Sequence, residues 1–383
     1  MRWRVFLLGT LALFLLLPGS IRAEEGGDDW TSDEFRRSFE ALLEESGANE
    51  LFPLLPEESQ ELLRENGISG IDPEAILDLS FWELLQGGWT ALKSAAAQPL
   101  STLAISLGVI LLCALLNAMK TSVGGQERLF SAVSALCVSA SVAAPAVRMI
   151  QRSTALLEEM SKFLLGFVPV YTGLVTASGK PVSGAVYNAC LLGTAEVIAR
   201  LAATVLAPLL GIYLALCLIG AASREVDMQP VSKLVQNGAV TLLTLLLTVF
   251  VGLLSVQGTV AAAADTVTTK TLKFAVSSFV PVVGGALGEA MNTVQGGLGL
   301  IRSAVGGFGI LAAAAAFLPE LLSILMMQLA LSAAGAAADV LGVKEAGGLM
   351  KSASSVLSLL AGMLMVFGML FVVSLSLMMA MSA

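Results

Sequence analysis

Ionisable side chains set inside long apolar stretches are the residues of this chain best able to do chemistry. Glu196 and Arg200 lie four residues apart, so on a helix they share a face and can neutralise each other. Glu289 and Arg302 occupy the matching hairpin of a later apolar stretch, with Asn188, Asn292 and Gln295 nearby. Charge inside a membrane helix is costly and marks a functional candidate. Two arrangements satisfy the pattern. These groups line a polar path through a helix bundle, or Glu196–Arg200 is an internal pair and the others sit near membrane surfaces.

Enzymatic chemistry has little to work with. The 383 residues contain no histidine, which excludes Ser-His-Asp, Cys-His and His-based zinc arrangements. Residues 173–181, GLVTASGKP, have a phosphate-loop flavour. The spacer is one residue too long, however, and Pro181 stands where a magnesium-binding Ser or Thr belongs. The four cysteines (Cys113, Cys137, Cys190, Cys217) all sit in apolar runs and read as packing residues. The expectation is a protein that is not an enzyme, with no catalytic residues, cofactor, metal or nucleic-acid partner.

The elements that position these residues follow from composition. Hydrophobic residues make up 56% of the chain and charged residues 13%, about half the charge of an ordinary soluble domain. From residue 99 onward, apolar runs recur at about the 20-residue length that crosses a hydrocarbon core of roughly 30 Å. The predicted class is all-α, a polytopic helical membrane protein with membrane lipid as its surroundings. The acidity is local: residues 24–98 hold 18 Asp and Glu against four Lys and Arg, while residues 99–383 hold 11 against 14.

Residues 1–23 have the form of a secretory signal: Arg2 and Arg4, a 13-residue apolar core from Val5 to Leu17, then a region ending in Ala23. An uncleaved anchor is the other reading; either one exports the segment after it. Residues 24–79 form an acidic extracytoplasmic segment of short helices, one of them from about Glu57 to Asn66 and stopped by Gly67. It is too small to bury much by itself, so it is expected to dock on the membrane part or on a partner, or else to remain a loosely ordered lead-in. Ser80-Phe81-Trp82-Glu83 is a capping box for an amphipathic helix over 80–97. Its Trp82 and Trp89 suit the membrane surface.

Residues 98–383 read as a polytopic membrane domain with an internal period of about 110 residues. Apolar helices are expected to start at Pro99, Pro208 and Pro319, dividing the domain into units of about 99–207 and 208–318 and a partial 319–383. The phrase FVPV occurs at 167–170 and again at 279–282. Pro169 and Pro281 lie inside apolar runs with glycines around them (Gly179 near one, Gly284 near the other), which predicts broken or kinked helices. Such breaks either mark a transport path or are packing kinks with small-residue contacts. An even number of crossings per unit puts the three short polar loops on one side, cytoplasmic if the N-terminus is exported.

Taken together, the signal, LLPEESQELLRENGISGIDPEAILDLS, KFLLGFVPVYTGLVTASGKPVSGAVYN and FVPVVGGALGEA resemble the stage III sporulation protein AE family across essentially the whole chain. The resemblance implies a mother-cell protein of the membrane around the forespore. It would be a permease-like or export-gate-like part of a channel or secretion complex linking the two cells. Implied partners are other stage III sporulation proteins, including a cytoplasmic ATPase and ring-forming membrane proteins. A stand-alone solute transporter and a structural scaffold of the complex are the alternatives.

Overall fold

The structure, a computed structural model, describes residues 43–71 apart from Glu45, then 81–119, 127–222, 229–279 and 284–382. The expected leader (1–23), residues 24–42 and 72–79 of the acidic segment, and Pro281 lie outside the described residues. The described elements are helical, in the order α1 (Glu57–Glu65), α2 (Phe81–Met119), α3 (Glu127–Ala177), α4 (Pro181–Leu201), α5 (Ala207–Ala222), α6 (Gln229–Phe279), α7 (Gly284–Val340) and α8 (Lys344–Ser382), with two 3-10 turns before α1. A π turn, Ala202–Leu206, joins α4 to α5 without a break. Among the described residues, six helices are long and apolar enough to cross a membrane.

The helices are longer than sequence predicts, because the prolines do not interrupt them. Pro99 is inside α2, Pro319 inside α7, and Pro208 is the second residue of α5 in the continuous α4–α5 rod. None of the three begins a helix. Helix α2 accordingly runs straight from the expected surface helix into the apolar stretch. Pro169 lies inside α3, which continues as helix to Ala177, so the chain is not broken there. A proline removes one backbone donor. At Pro169 the ring faces outward, and Thr172 Oγ1 donates to the carbonyls of Val168 (2.8 Å) and Pro169 (3.2 Å). At Pro99 the hydroxyls of Ser101 and Thr102 both bond to the Gln98 carbonyl. These hydroxyls bond carbonyls next to each proline, while the carbonyls the prolines free are those of Leu165 and Ala95, one helical turn earlier.

The chain reverses instead at Ser178-Gly179-Lys180, where Gly179 takes φ 88° and the Lys180 amide donates back to the Val175 carbonyl. That positive φ is open to glycine at no steric cost.

Helix α8 is the centre of the bundle. It packs on α7 above all, and also on α3, α5 and α6, and 89% of its apolar window is buried. A helix hydrophobic on all sides belongs inside. Glycines permit its close contact with α7 and α3. A Cβ on Gly309 would lie 2.7 Å from the Phe167 ring and 3.1 Å from Leu375, and one on Gly306 would lie 2.7 Å from Met379. Phe163, Phe167 and Tyr171 stack in sequence along α3, with Phe163 reaching Phe371 of α8.

The N-terminal segment docks on this bundle. Leu51, Phe52 and Ile68 are almost completely buried. The Phe52 ring lies 6.3 Å from Phe308 of α7, and the Arg64 guanidinium stands over it at 5.3 Å. Leu54 fills the space over Gly166 of α3.

Candidate functional site

Two buried polar clusters stand out, and neither centres on a residue that sequence reasoning singles out. The first surrounds Glu320. Pro319 cannot donate to the Ala315 carbonyl, so the α7 backbone there is short of one hydrogen bond. Ala315, Ala316, Pro319 and Glu320 form one wall of an open cleft of about 520 Å³, whose other walls are α3 and residues 54–59. Glu320 is 3% exposed. Its Oε1 accepts from the Ser153 hydroxyl at 2.8 Å, and Arg152 Nε stands 2.9 Å from Oε2, out of line for a good hydrogen bond. Arg152 uses its other nitrogen, NH2, on Glu58 of α1, at 2.5 Å. One guanidinium thus ties the docked segment to a carboxylate inside the bundle. A buried carboxylate that loses its cation is strongly destabilising.

The second cluster is at the α3–α4 hairpin tip. Asp265 of α6 is 2% exposed, and its two carboxylate oxygens accept the backbone N–H groups of Val182 (2.9 Å) and Ser183 (2.8 Å). A helix N-terminus attracts negative charge and leaves its first N–H groups unsatisfied. Here a distant helix supplies the cap, and the anion position of the phosphate-loop-like phrase is filled by the chain itself. Lys180 and the buried Arg302 stand near this carboxylate. Burial, then the charge of Arg302, pull the Lys180 ammonium below its usual value, with Asp265 opposing.

Of the residues proposed from sequence, Glu196 and Arg200 form an ion pair, Nε to Oε1 at 2.5 Å, on the outward face of α4, with both side chains more than half exposed. Gly179 makes the hairpin turn. Asn188 is half-buried, and its Oδ1 is enclosed without a hydrogen bond. Arg302 is buried and belongs to the hairpin-tip cluster. Gly284 is the first residue of α7, whereas the side chain of Glu289 lies outside the described residues. The structure therefore does not gather these positions into one site.

Sequence reasoning misses Glu320 because Pro-Glu reads as the opening of a helix, where proline and acid are both favoured. Asp265 is visible in the sequence only as a linker charge, since its partner is 82 residues away. Among the described residues no group of three or more potential metal-ligating side chains comes together.

Helices of this length and apolarity, packed around a buried centre, define a multi-pass helical membrane protein whose polar groups serve helix–helix contacts and one acidic cleft. The model of the stage III sporulation protein AE family matches residues 74–382, and the chain belongs to that family. It is 31% identical over 170 residues to the stage III sporulation protein AE of Bacillus subtilis (strain 168). That alignment takes in 44% of this chain and 43% of the relative. No solved structure matches.

Proposed function

We propose that the protein is the permease-like or export-gate-like membrane component of a stage III sporulation complex joining mother cell and forespore. Family membership supports a sporulation role. The observation that carries the permease reading is the Glu320 cleft. A carboxylate in an apolar helix, beside a proline that frees a backbone carbonyl, is the arrangement found where helices line a conduit or move during transport. The partners implied by the family resemblance would be a cytoplasmic ATPase and ring-forming membrane proteins. The membrane would be that of the mother cell around the forespore, with the N-terminal segment on its extracytoplasmic face. An internal duplication of about 110 residues is proposed from the recurrence of FVPV at 167–170 and 279–282.

The densely packed centre around α8 favours a second reading, a scaffold that holds the complex together. The test is Glu320→Gln and Glu320→Leu in the sporulating host, scored by a late forespore reporter and by protein level. A conduit role requires reporter loss in the Leu variant at normal protein level. Normal reporter activity in both variants would leave the scaffold.

A further inference from the structure

The charges divide the long helices at two heights. At one end is the α7–α8 turn, with Asp339 and Lys351 paired across it. The next charges along α3, α4–α5 and α7 are Arg148 and Arg152, then Arg200 and Glu196, then Glu320. Between the two sets, residues 129–147, 201–223 and 321–338 carry no Asp, Glu, Lys or Arg. These stretches of 18 to 23 residues are ~27–35 Å of helix at 1.5 Å per residue, which is the thickness of a bilayer's hydrocarbon core.

The mid-helix charges form a belt that runs from Arg148 to Lys162 along α3, about 21 Å at 1.5 Å per residue. Ser161 Oγ donates to the Ala195 carbonyl at 2.6 Å, which sets the Glu158–Lys162 pair of α3 beside the Glu196–Arg200 pair of α4. Ile198, Met160 and Phe317 border one small gap, which brings α7 to the same height, and Arg152 joins Glu320 and Glu58 there. On α2, Cys113 contacts Ser134 of α3.

Exposure changes across this belt. Among the described residues, large apolar side chains open to the surroundings concentrate on the loop side, for example Ile105, Leu111, Leu136, Ile212, Leu245 and Leu329. On the far side, α3 (apart from the exposed Leu165) and α7 turn most of their apolar residues inward and are partly covered by the acidic segment, through Phe52 on Phe308 and Leu54 over Gly166. Helix α6 has no charge at this height; past Leu254 it gains Ser255, Gln257, Thr259 and the buried Asp265, while Val256, Val260 and Val267 stay open on its outer face.

We infer that the hydrocarbon layer of the membrane lies between the loop-end charges and this mid-helix belt. Arg148 and Arg152 then stand among lipid headgroups, and the Glu158–Lys162 and Glu196–Arg200 pairs stand at their outer edge. The far halves (α3 from Phe163, all of α4 before Glu196, α6 beyond about Val251 and α7 before Glu320) rise out of the bilayer as a helical layer. An ion pair as open as Glu196–Arg200 is expensive in hydrocarbon and cheap at a headgroup surface, where long basic side chains reach phosphate. This placement does not depend on the proposed export role.

The test uses purified full-length protein with its four cysteines replaced, carrying one new cysteine at a time, in lipid nanodiscs that leave both faces open to water. A water-soluble maleimide should label position 158, 165, 182, 196 or 267 at least tenfold faster than position 105, 111, 136, 212 or 245. Only denaturation in detergent should equalise them. Protection of 165, 182 and 267 to the same degree as 111 and 212 would overturn the placement. A single-peak elution matching the parent protein shows that each variant is folded.

Discussion

The residue scale is where charge decides most. Asp265 caps α4 from another helix through two bonds of 2.8 and 2.9 Å. A carboxylate held this way contributes about 1.5–3 kcal/mol per bond, so Asp265→Asn, which keeps shape and loses charge, should lower the thermal midpoint of the detergent-solubilised protein. An unchanged midpoint would show that the cap is dispensable. Lys180 runs the other way. Its folded pKa is depressed below the ordinary 10.5, so the folded state binds its proton less well than the unfolded chain, and stability rises with pH between the two values. Lys180→Met should therefore melt higher than the parent at pH 7, and the gap should narrow toward pH 10. A gap that stayed constant across that range would mean that the ammonium plays no part. The turn glycine, Gly179, and the Glu196–Arg200 pair are open to sequence reasoning because each rests on local rules: φ sterics in one case and four-residue helical spacing in the other. Asp265 and Glu320 are not, because what makes each special is a partner far away in the chain.

At the scale of elements, glycine rows set how closely α7 approaches α8 and α3. Gly309 faces Phe167 and Leu375 with no room for a Cβ. Gly309→Leu should destabilise by roughly 1–3 kcal/mol through overpacking, whereas Gly211→Leu, with nothing within 4 Å, should leave the melting curve unmoved. Equal effects at the two positions would argue against close packing at the α7–α8 contact. The proline-based helix boundaries fail for a physical reason. In water, proline within a run usually ends a helix, because the freed carbonyl is solvated there at little cost. In a packed membrane bundle the alternative to helix is a longer unsatisfied stretch, so the rod continues through Pro99, Pro169 and Pro319 and loses only one bond at each.

For the molecule as a whole, the described part of the docked segment is held on the bundle by the bridge Glu58–Arg152–Glu320, by Phe52 on Phe308 and by Leu54 over Gly166. Arg152→Ala strands Glu320 and releases Glu58. Limited proteolysis should then cut within residues 43–71 several times faster than in the parent, while fragments of α7 and α8 keep their lifetime. Cleavage at the parental rate would show that apolar contact alone holds the segment. Sequence alone determined that this chain is an all-helical membrane protein, that its charge is concentrated in one acidic stretch, and which family it resembles. Composition, apolar run length and local motifs carry those facts, and each is a property of neighbouring residues. Tertiary structure alone decided that the last apolar helix sits at the centre and that short predicted helices fuse into rods of up to 57 residues. It also decided that an acid beside Pro319 is buried against an arginine from α3. In a chain apolar from end to end, hydrophobicity no longer distinguishes the inside from the lipid face. That choice falls to shape and to pairs of polar groups, and neither exists until the helices meet.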